Sequence, residues 1–254
     1  MSLTRLILRF AATLPKIERF ERYLFIGPHP DDIEIGAGAT AAKLAAMGKA
    51  VTFLVCTDGR FGEGNVPETG DALAALRRQE AIASAKLLGV TDVRFLGLSD
   101  GGFYAQDDLI AGIAKVIGEV QPDVLFAPDP CVHAEGHADH LRVGEAVRSL
   151  ALFAPHRGIM AGLGAESAKV KAVAFFMTAR VNRYVCTRGY LKKQLDAIFT
   201  CHRSQFPEGS ADGKSIALYL KIRAADFGSR SLTGCAEGFR VLDQLHMHCL
   251  PEAE

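Results

Sequence analysis

The stretch Gly27-Pro28-His29-Pro30-Asp31-Asp32-Ile33-Glu34-Ile35-Gly36-Ala37-Gly38, GPHPDDIEIGAG, follows the short apolar run YLFI at 23–26. The run reads as a buried strand, and its end is crowded with a histidine and two adjacent carboxylates. Charges at such a place cost solvation unless they hold something. Pro30 stiffens the turn. His29 and Asp32, three residues apart, can converge on one point while Asp31 points elsewhere. An imidazole nitrogen and a carboxylate oxygen are suitable ligands for Zn²⁺, and a third ligand is then needed beside an open position.

Working outward, apolar runs rich in β-formers recur at 23–27, 51–56, 92–96, 123–127 and 172–176, with helical patterns at about 37–48, 71–88, 107–119 and 138–152. Gly48, Gly89 and Pro122 sit where those helices should stop. Alternating short strands and helices predict βαβ units, hence an α/β, Rossmann-like three-layer sandwich with a mostly parallel sheet. A further helix at 188–201 and strands near 216–222 and 239–249 complete it as C-terminal additions from about 178. The spacing of Leu3, Leu6/Ile7, Phe10/Ala11 and Leu14 predicts an amphipathic helix within 1–20. With no linker or repeat, the whole of 1–254 reads as a single domain.

Composition narrows the partners. Lys+Arg and Asp+Glu each total 29, so no basic surplus argues for nucleic acid or an anionic membrane. No apolar run approaches a membrane span. Six cysteines without a C-x-x-C pair read as reduced thiols of a cytoplasmic protein. A small-molecule substrate fits this balance best.

In open α/β sheets ligands bind beyond the carboxyl ends of the strands. Three strands here end in polar clusters: GPHPDD, TDGRFGEGN and PDPCVHAEGHADH. The last carries His133, His137, Asp139 and His140. His137 and His140 face one direction if a helix begins there, so either could supply the missing ligand and leave the other for acid–base or oxyanion work. Asp31 is the natural base for the water of such a site. His133 can be read equally as a surface histidine; His156, His246 and His248 read as structural. The competing pattern Gly36-Ala-Gly38-Ala-Thr-Ala41 matches the dinucleotide fingerprint G-x-G-x-x-A. Eight residues separate Gly36 from the end of the strand, however, and a carboxylate pair occupies the turn that a pyrophosphate would need. Close packing of the first helix on the sheet accounts better for these glycines.

PHPDDIEIGAG, the later TDG, the Arg77-x-x-Glu80 helix and HADH together resemble the zinc-dependent PIG-L/LmbE-like N-deacetylases. RRQEAIASAKLLGV, FAPDP, CHRSQFPE, IALYL and EGFRV extend the resemblance toward the diacetylchitobiose deacetylase branch, over about 23–248. The resemblance implies that His29, Asp32 and His140 bind one Zn²⁺, although other divalent metals suit the same ligands. It also implies that Asp31 is the general base, that His137, as imidazolium, stabilises the oxyanion, and that Arg77 and Asp100 hold sugar hydroxyls. A homo-oligomer, trimer or hexamer, is implied as well. Two departures stand out: Ala138 replaces the usual proline of the second motif, and Cys131 stands where the branch tends to carry an aromatic residue. GRFGEGNVPETG reads as a flexible loop over the site. The function expected is removal of acetyl from an N-acetylated amino sugar, with a zinc amidase acting on a non-sugar N-acyl amine as the alternative. A dinucleotide-binding protein and a non-catalytic sugar- or metal-binding module stand further off.

Overall fold

A computed structural model describes residues 12–248. Five of the apolar runs become strands β1 (Arg22–Gly27), β2 (Ala50–Thr57), β3 (Asp92–Leu98), β4 (Val124–Pro128) and β5 (Ala172–Phe176), all parallel. Two later strands, β6 (Arg183–Cys186) and β7 (Ala236–Asp243), extend the sheet antiparallel, giving the order β3-β2-β1-β4-β5-β7-β6. The central strands read as continuous apolar runs because both faces are covered. Phe25 stands opposite Phe53 and Phe126, and its ring stacks on that of Phe126 with centroids 4.1 Å apart. This face packs under α1 (Asp32–Ala46) and α2 (Gly70–Leu88), whereas Leu24, Ile26, Leu54 and Leu125 pack under α3 (Gln106–Val120) and α4 (Ala138–Phe153). Each such side chain fully buried contributes about 1.5–3 kcal/mol. Gly89 ends α2 in the left-handed conformation, at φ 94°. A six-residue helix α5 (Arg157–Gly162) precedes β5.

The first helix begins at Asp32, five residues before the predicted start, and is kinked at Ala37 (φ −151°, ψ 15°). A Cβ on Gly36 would lie 2.2 Å from the Phe176 ring, so the glycine is required by close approach of helix and sheet, as its spacing implied. Beyond the kink a second helix start exposes main-chain N–H groups of Ala39 and Thr40. Both donate to the Glu237 carboxylate of β7, at 3.2 and 2.7 Å. The buried anion caps a helix N-terminus, where partial positive charge favours it. Gln194 donates to the same carboxylate and to the Glu34 carbonyl, tying the C-terminal segment to the helix that carries the first motif.

That segment corrects several expectations. The helix read at 188–201 starts three residues later, as α6 (Leu191–Asp196), and runs on without a break into a π-helical turn, Ala197–Cys201, so that its end is the expected one. The strand read near 216–222 is instead the middle of α7 (Ala211–Arg230), capped by the Ser210 hydroxyl, which accepts from the Gly213 N–H. Its buried residues Leu220, Ala224 and Phe227 follow helical spacing, whereas Leu218 and Ile222, which made the alternation look like a strand, are exposed. The strand expected at 239–249 begins earlier and gives way after Asp243 to α8 (Gln244–His248). Most of the helix expected in 1–20 lies outside the described residues; within them the chain makes only a 3₁₀ turn, Ile17–Arg19. Among the described residues the five cysteines are free thiols, and no helix is long and apolar enough to cross a membrane.

Candidate metal and catalytic site

The strand order reverses between β1 and β4, so their carboxyl ends diverge and leave a crevice. The first motif enters it from β1. His29, Asp31 and Asp32 are all buried there. Asp31 takes φ 142° and ψ −24°, a left-handed conformation that costs an L residue on the order of 1–3 kcal/mol and persists only where the surroundings over-determine it. They do so here. The Asp31 carbonyl accepts the Ile35 N–H, and the Arg77 guanidinium, only 4% exposed, donates to the Pro30 carbonyl and to Asp31 Oδ2 at 3.2 and 3.3 Å. It also reaches the Gly59 carbonyl at 3.0 Å, and a Cβ on Gly59 (φ 70°) would collide with it.

The second motif enters from the loop before α4. His137 caps that helix, its side chain accepting the Asp139 N–H, and His140 lies one turn further on. The ligand atoms of His29, Asp32 and His140 all come within 4.8 Å of one another; so do those of a second set, His29, His137 and Asp139. In the first set, Asp32 meets His29 Nδ1 at 3.0 Å and His140 Nε2 at 3.3 Å. The outer nitrogen of each ring meets another carboxylate: His29 Nε2 meets Asp139 at 3.0 Å and His140 Nδ1 meets Glu135 at 2.9 Å. A carboxylate behind each imidazole is the arrangement that fixes a metal-binding histidine's tautomer and orientation. Asp139 is fully buried and already accepts the N–H groups of Gly101 and Gly102 at 2.8 and 2.9 Å. Two imidazoles and one carboxylate converging in this way are a donor set that suits a divalent metal ion.

The electrostatics agree. Burial works against the charge on Asp32, but hydrogen bonds from His140 and His29 overcome it and hold the carboxyl well below its usual range. Burial likewise opposes protonation of His29, yet Asp139 and Asp32 raise it to about 10; His140, facing Asp32 and Glu135, rises to about 9. The carboxylates around the two rings thus favour positive charge at this place, a proton's or a metal ion's. Asp31 differs from its neighbour: burial raises its carboxyl to about 6, a rise that Arg77 limits. Partial burial, with His29 and His140 nearby, lowers His137 below the ordinary imidazole value. The neutral ring is therefore favoured over the expected imidazolium. Because Nδ1 accepts the Asp139 N–H, its proton sits on Nε2, which remains a donor.

The sequence-predicted residues are thus brought together, with two qualifications. Arg77 spends its terminal nitrogens on Asp31 and two carbonyls, and Asp100, buried, accepts the Phe61 N–H at 3.2 Å. His133 is exposed on the loop. Glu135 and the bracing pairs behind the turn had no role in the sequence reading. Glu80 accepts from the Ser204 N–H and hydroxyl, and Glu34 accepts from Ser84 and lies 3.3 Å from the buried His202. The Arg-x-x-Glu and CHRSQFPE motifs therefore meet each other. A carboxylate within a few residues of a motif histidine was the available signal for Glu135, but loop geometry decides which one turns inward.

Comparison with known proteins points the same way. The sequence profile described as PIG-L, GlcNAc-PI de-N-acetylase, matches residues 24–151, which contain both motifs. Diacetylchitobiose deacetylase of Thermococcus kodakarensis is 34% identical over 238 residues, 92% of this chain and 87% of that one. A 1D-myo-inositol 2-acetamido-2-deoxy-alpha-D-glucopyranoside deacetylase of Kineococcus radiotolerans is 36% identical over 56% of this chain and about half (48%) of its own length. The solved structure of N,N'-diacetylchitobiose deacetylase from Pyrococcus horikoshii superposes with a TM-score of 0.85 at 32% identity, covering 98% of this chain and 93% of that one. A likeness that spans nearly the whole chain at this identity leaves one assignment: the protein belongs to the PIG-L family of de-N-acetylases.

Proposed function

We propose that the protein hydrolyses the acetamide of an N-acetylated amino sugar, of the N-acetylglucosamine or diacetylchitobiose kind, using Zn²⁺ held by His29, Asp32 and His140. The observation that carries this reading is the convergence of His29, Asp32 and His140, whose ligand atoms lie within 4.8 Å of one another, with the buried, backbone-strained Asp31 next to them. The two carboxyls shift in opposite directions, Asp32 down among the histidines and Asp31 up to about 6. Opposite shifts on neighbouring groups separate ligand from acid–base catalyst. His140 is preferred to His137 as third ligand because its outer nitrogen is backed by Glu135, whereas His137 spends Nδ1 on the helix start.

Zinc in this place supplies Lewis acidity to the amide carbonyl and brings the pKa of water to near 7. Asp31, ionised at neutral pH but only weakly acidic, takes the proton of the attacking water and returns it to the departing amine nitrogen. Its strained backbone and Arg77 keep the carboxylate aimed for that transfer. His137 Nε2–H donates to the oxygen that gains charge as the carbonyl becomes tetrahedral. Asp100 is left as an acceptor for a sugar hydroxyl. Arg77 acts chiefly by holding Asp31, since of its nitrogens only Nε has no partner within the protein. A cytoplasmic homo-oligomer, trimer or hexamer, is part of the same reading. The free thiols support the first point, and exposed Leu218, Tyr219 and Ile222 on α7 offer surface for the second.

Acetate release from N-acetylglucosamine and diacetylchitobiose, with metal content measured by mass spectrometry on the same sample, tests the proposal. Acetate accompanied by about one zinc per chain is expected. Zinc without acetate would overturn the sugar reading, and neither, even after metal is added back, would overturn the site as well.

A further inference from the structure

Two aromatic side chains lie outside every core cluster and beside the proposed site. Phe61, on the loop after β2, is 53% exposed, and Phe103, on the loop after β3, is 74% exposed. Their rings meet edge to face, with centroids 5.7 Å apart and planes at 75°. Scattered exposed apolar residues need no explanation, but two large rings held against each other form a small patch with a defined face.

The loops that present them are anchored to the site's own carboxylates. The Phe61 N–H donates to Asp100. Gly101 and Gly102 donate to Asp139, the carboxylate behind His29, and Arg142 of α4 donates to the Gly102 carbonyl at 2.8 Å. Both glycines take positive φ, 72° and 76°, and a Cβ on Gly101 would lie 3.1 Å from the Phe103 ring and 3.6 Å from that of Phe61. The absence of a side chain at Gly101 lets the two rings close over the turn. The loop that carries Phe103 is therefore held by the carboxylate that backs His29, and the loop that carries Phe61 is held by Asp100.

We propose that Phe61 and Phe103 form a platform for the second sugar ring of an oligosaccharide substrate, adjacent to the ring that carries the acetamide. The proposal rests on the deacetylase reading above and extends it to substrate length. An alkyl chain would call for an enclosed trough. This surface is one-sided and wet, with exposed Glu63 and Asn65 following Phe61 along the loop. It suits a pyranose, which presents C–H bonds on one face and keeps its hydroxyls in water. Asp100, touching the Phe61 backbone, marks the boundary between the two rings' positions.

The test compares kcat/KM for diacetylchitobiose and N-acetylglucosamine in the zinc-loaded wild type, F61A, F103A and the conservative F103Y. The disaccharide-to-monosaccharide ratio should fall roughly tenfold in each alanine variant through a rise in the disaccharide KM, and F103Y should keep most of the wild-type ratio. An unaltered ratio in both alanine variants, with the wild type active on both sugars, overturns the platform while leaving the deacetylase reading intact. So does a change in elution volume on size-exclusion chromatography without a change in ratio, which would assign the pair to a subunit contact. A wild type that prefers an octyl glycoside of N-acetylglucosamine to the disaccharide, with that preference lost in F103A, would assign the rings to an apolar aglycone instead.

Discussion

The turn after β1 and the loop before α4 supply the same centre by different means. The turn is buried, its backbone strained at Asp31, and it is clamped from behind by Arg77. The loop is largely exposed, and its shape depends on one carboxylate: Glu135 accepts the His137 N–H at 2.7 Å and meets the His140 ring at 2.9 Å. Rigidity in the turn comes from packing and therefore from fold stability. In the loop it comes from a local staple that the fold does not otherwise require. Glu135 thus supplies at this point some of the restraint that a proline at Ala138, the first residue of α4, would give.

Cutting the clamp should cost the fold most. Arg77→Ala leaves the Asp31 carboxylate buried without its guanidinium and takes a donor from the Pro30 carbonyl, and removing one partner of a buried ion pair costs about 3–5 kcal/mol. Urea denaturation should show a loss of that size. A loss below about 1 kcal/mol, the scale of an exposed pair, would mean that the turn is not held from behind. Cutting the staple should have the reverse profile. Glu135→Ala should leave the unfolding midpoint of the metal-free protein nearly in place yet weaken zinc binding about 10- to 100-fold, read by competition with a chelator. Glu135→Gln should retain most of the affinity, and equal losses in the two variants would sharpen the assignment toward charge rather than orientation.

The smallest effect lies at the opposite end of the sheet. The Asp123 carboxylate accepts the Glu21 and Arg22 N–H groups at 3.1 and 3.0 Å and pairs with Lys171 at 2.9 Å. Although burial opposes it, these donors hold its carboxyl below the ordinary value. A depressed folded-state pKa gives stability that is present above the unfolded value of about 4 and is lost as pH falls toward the folded one. Asp123→Asn should therefore cost about 1 kcal/mol or less at neutral pH and flatten the acid limb of thermal stability below about pH 4. An unchanged acid limb would show that other carboxylates carry it.

The same contrast explains what could be read from the sequence. The five parallel strands and the first motif were legible because burial on both faces writes continuous apolar runs, and charges at their ends stand out. Gly36 was legible as a close-packing residue because Phe176 leaves no room for a Cβ. The strand read at 216–222 failed because Ile216, Leu218, Leu220 and Ile222 alternate, and alternation does not say which positions are buried. Only Leu220 of these is, and the helix continues its buried face through Ala224 and Phe227. The kink at Ala37 and its cap by Glu237 join residues 198 and 197 positions apart, a pairing no local pattern encodes. Glu135 was illegible for the opposite reason: it is local, but a loop carboxylate looks the same whether it faces water or a histidine.

The division of labour between Asp31 and Asp32 is tested by zinc content against acetate release in Asp31→Asn and His140→Ala, measured beside the wild type. Asp31→Asn should keep its zinc and lose turnover by on the order of 10²- to 10³-fold or more, whereas His140→Ala should lose both. An Asp31→Asn protein that still releases acetate at the wild-type rate, or that loses its zinc as His140→Ala does, would show that the two carboxylates do not divide the work in this way.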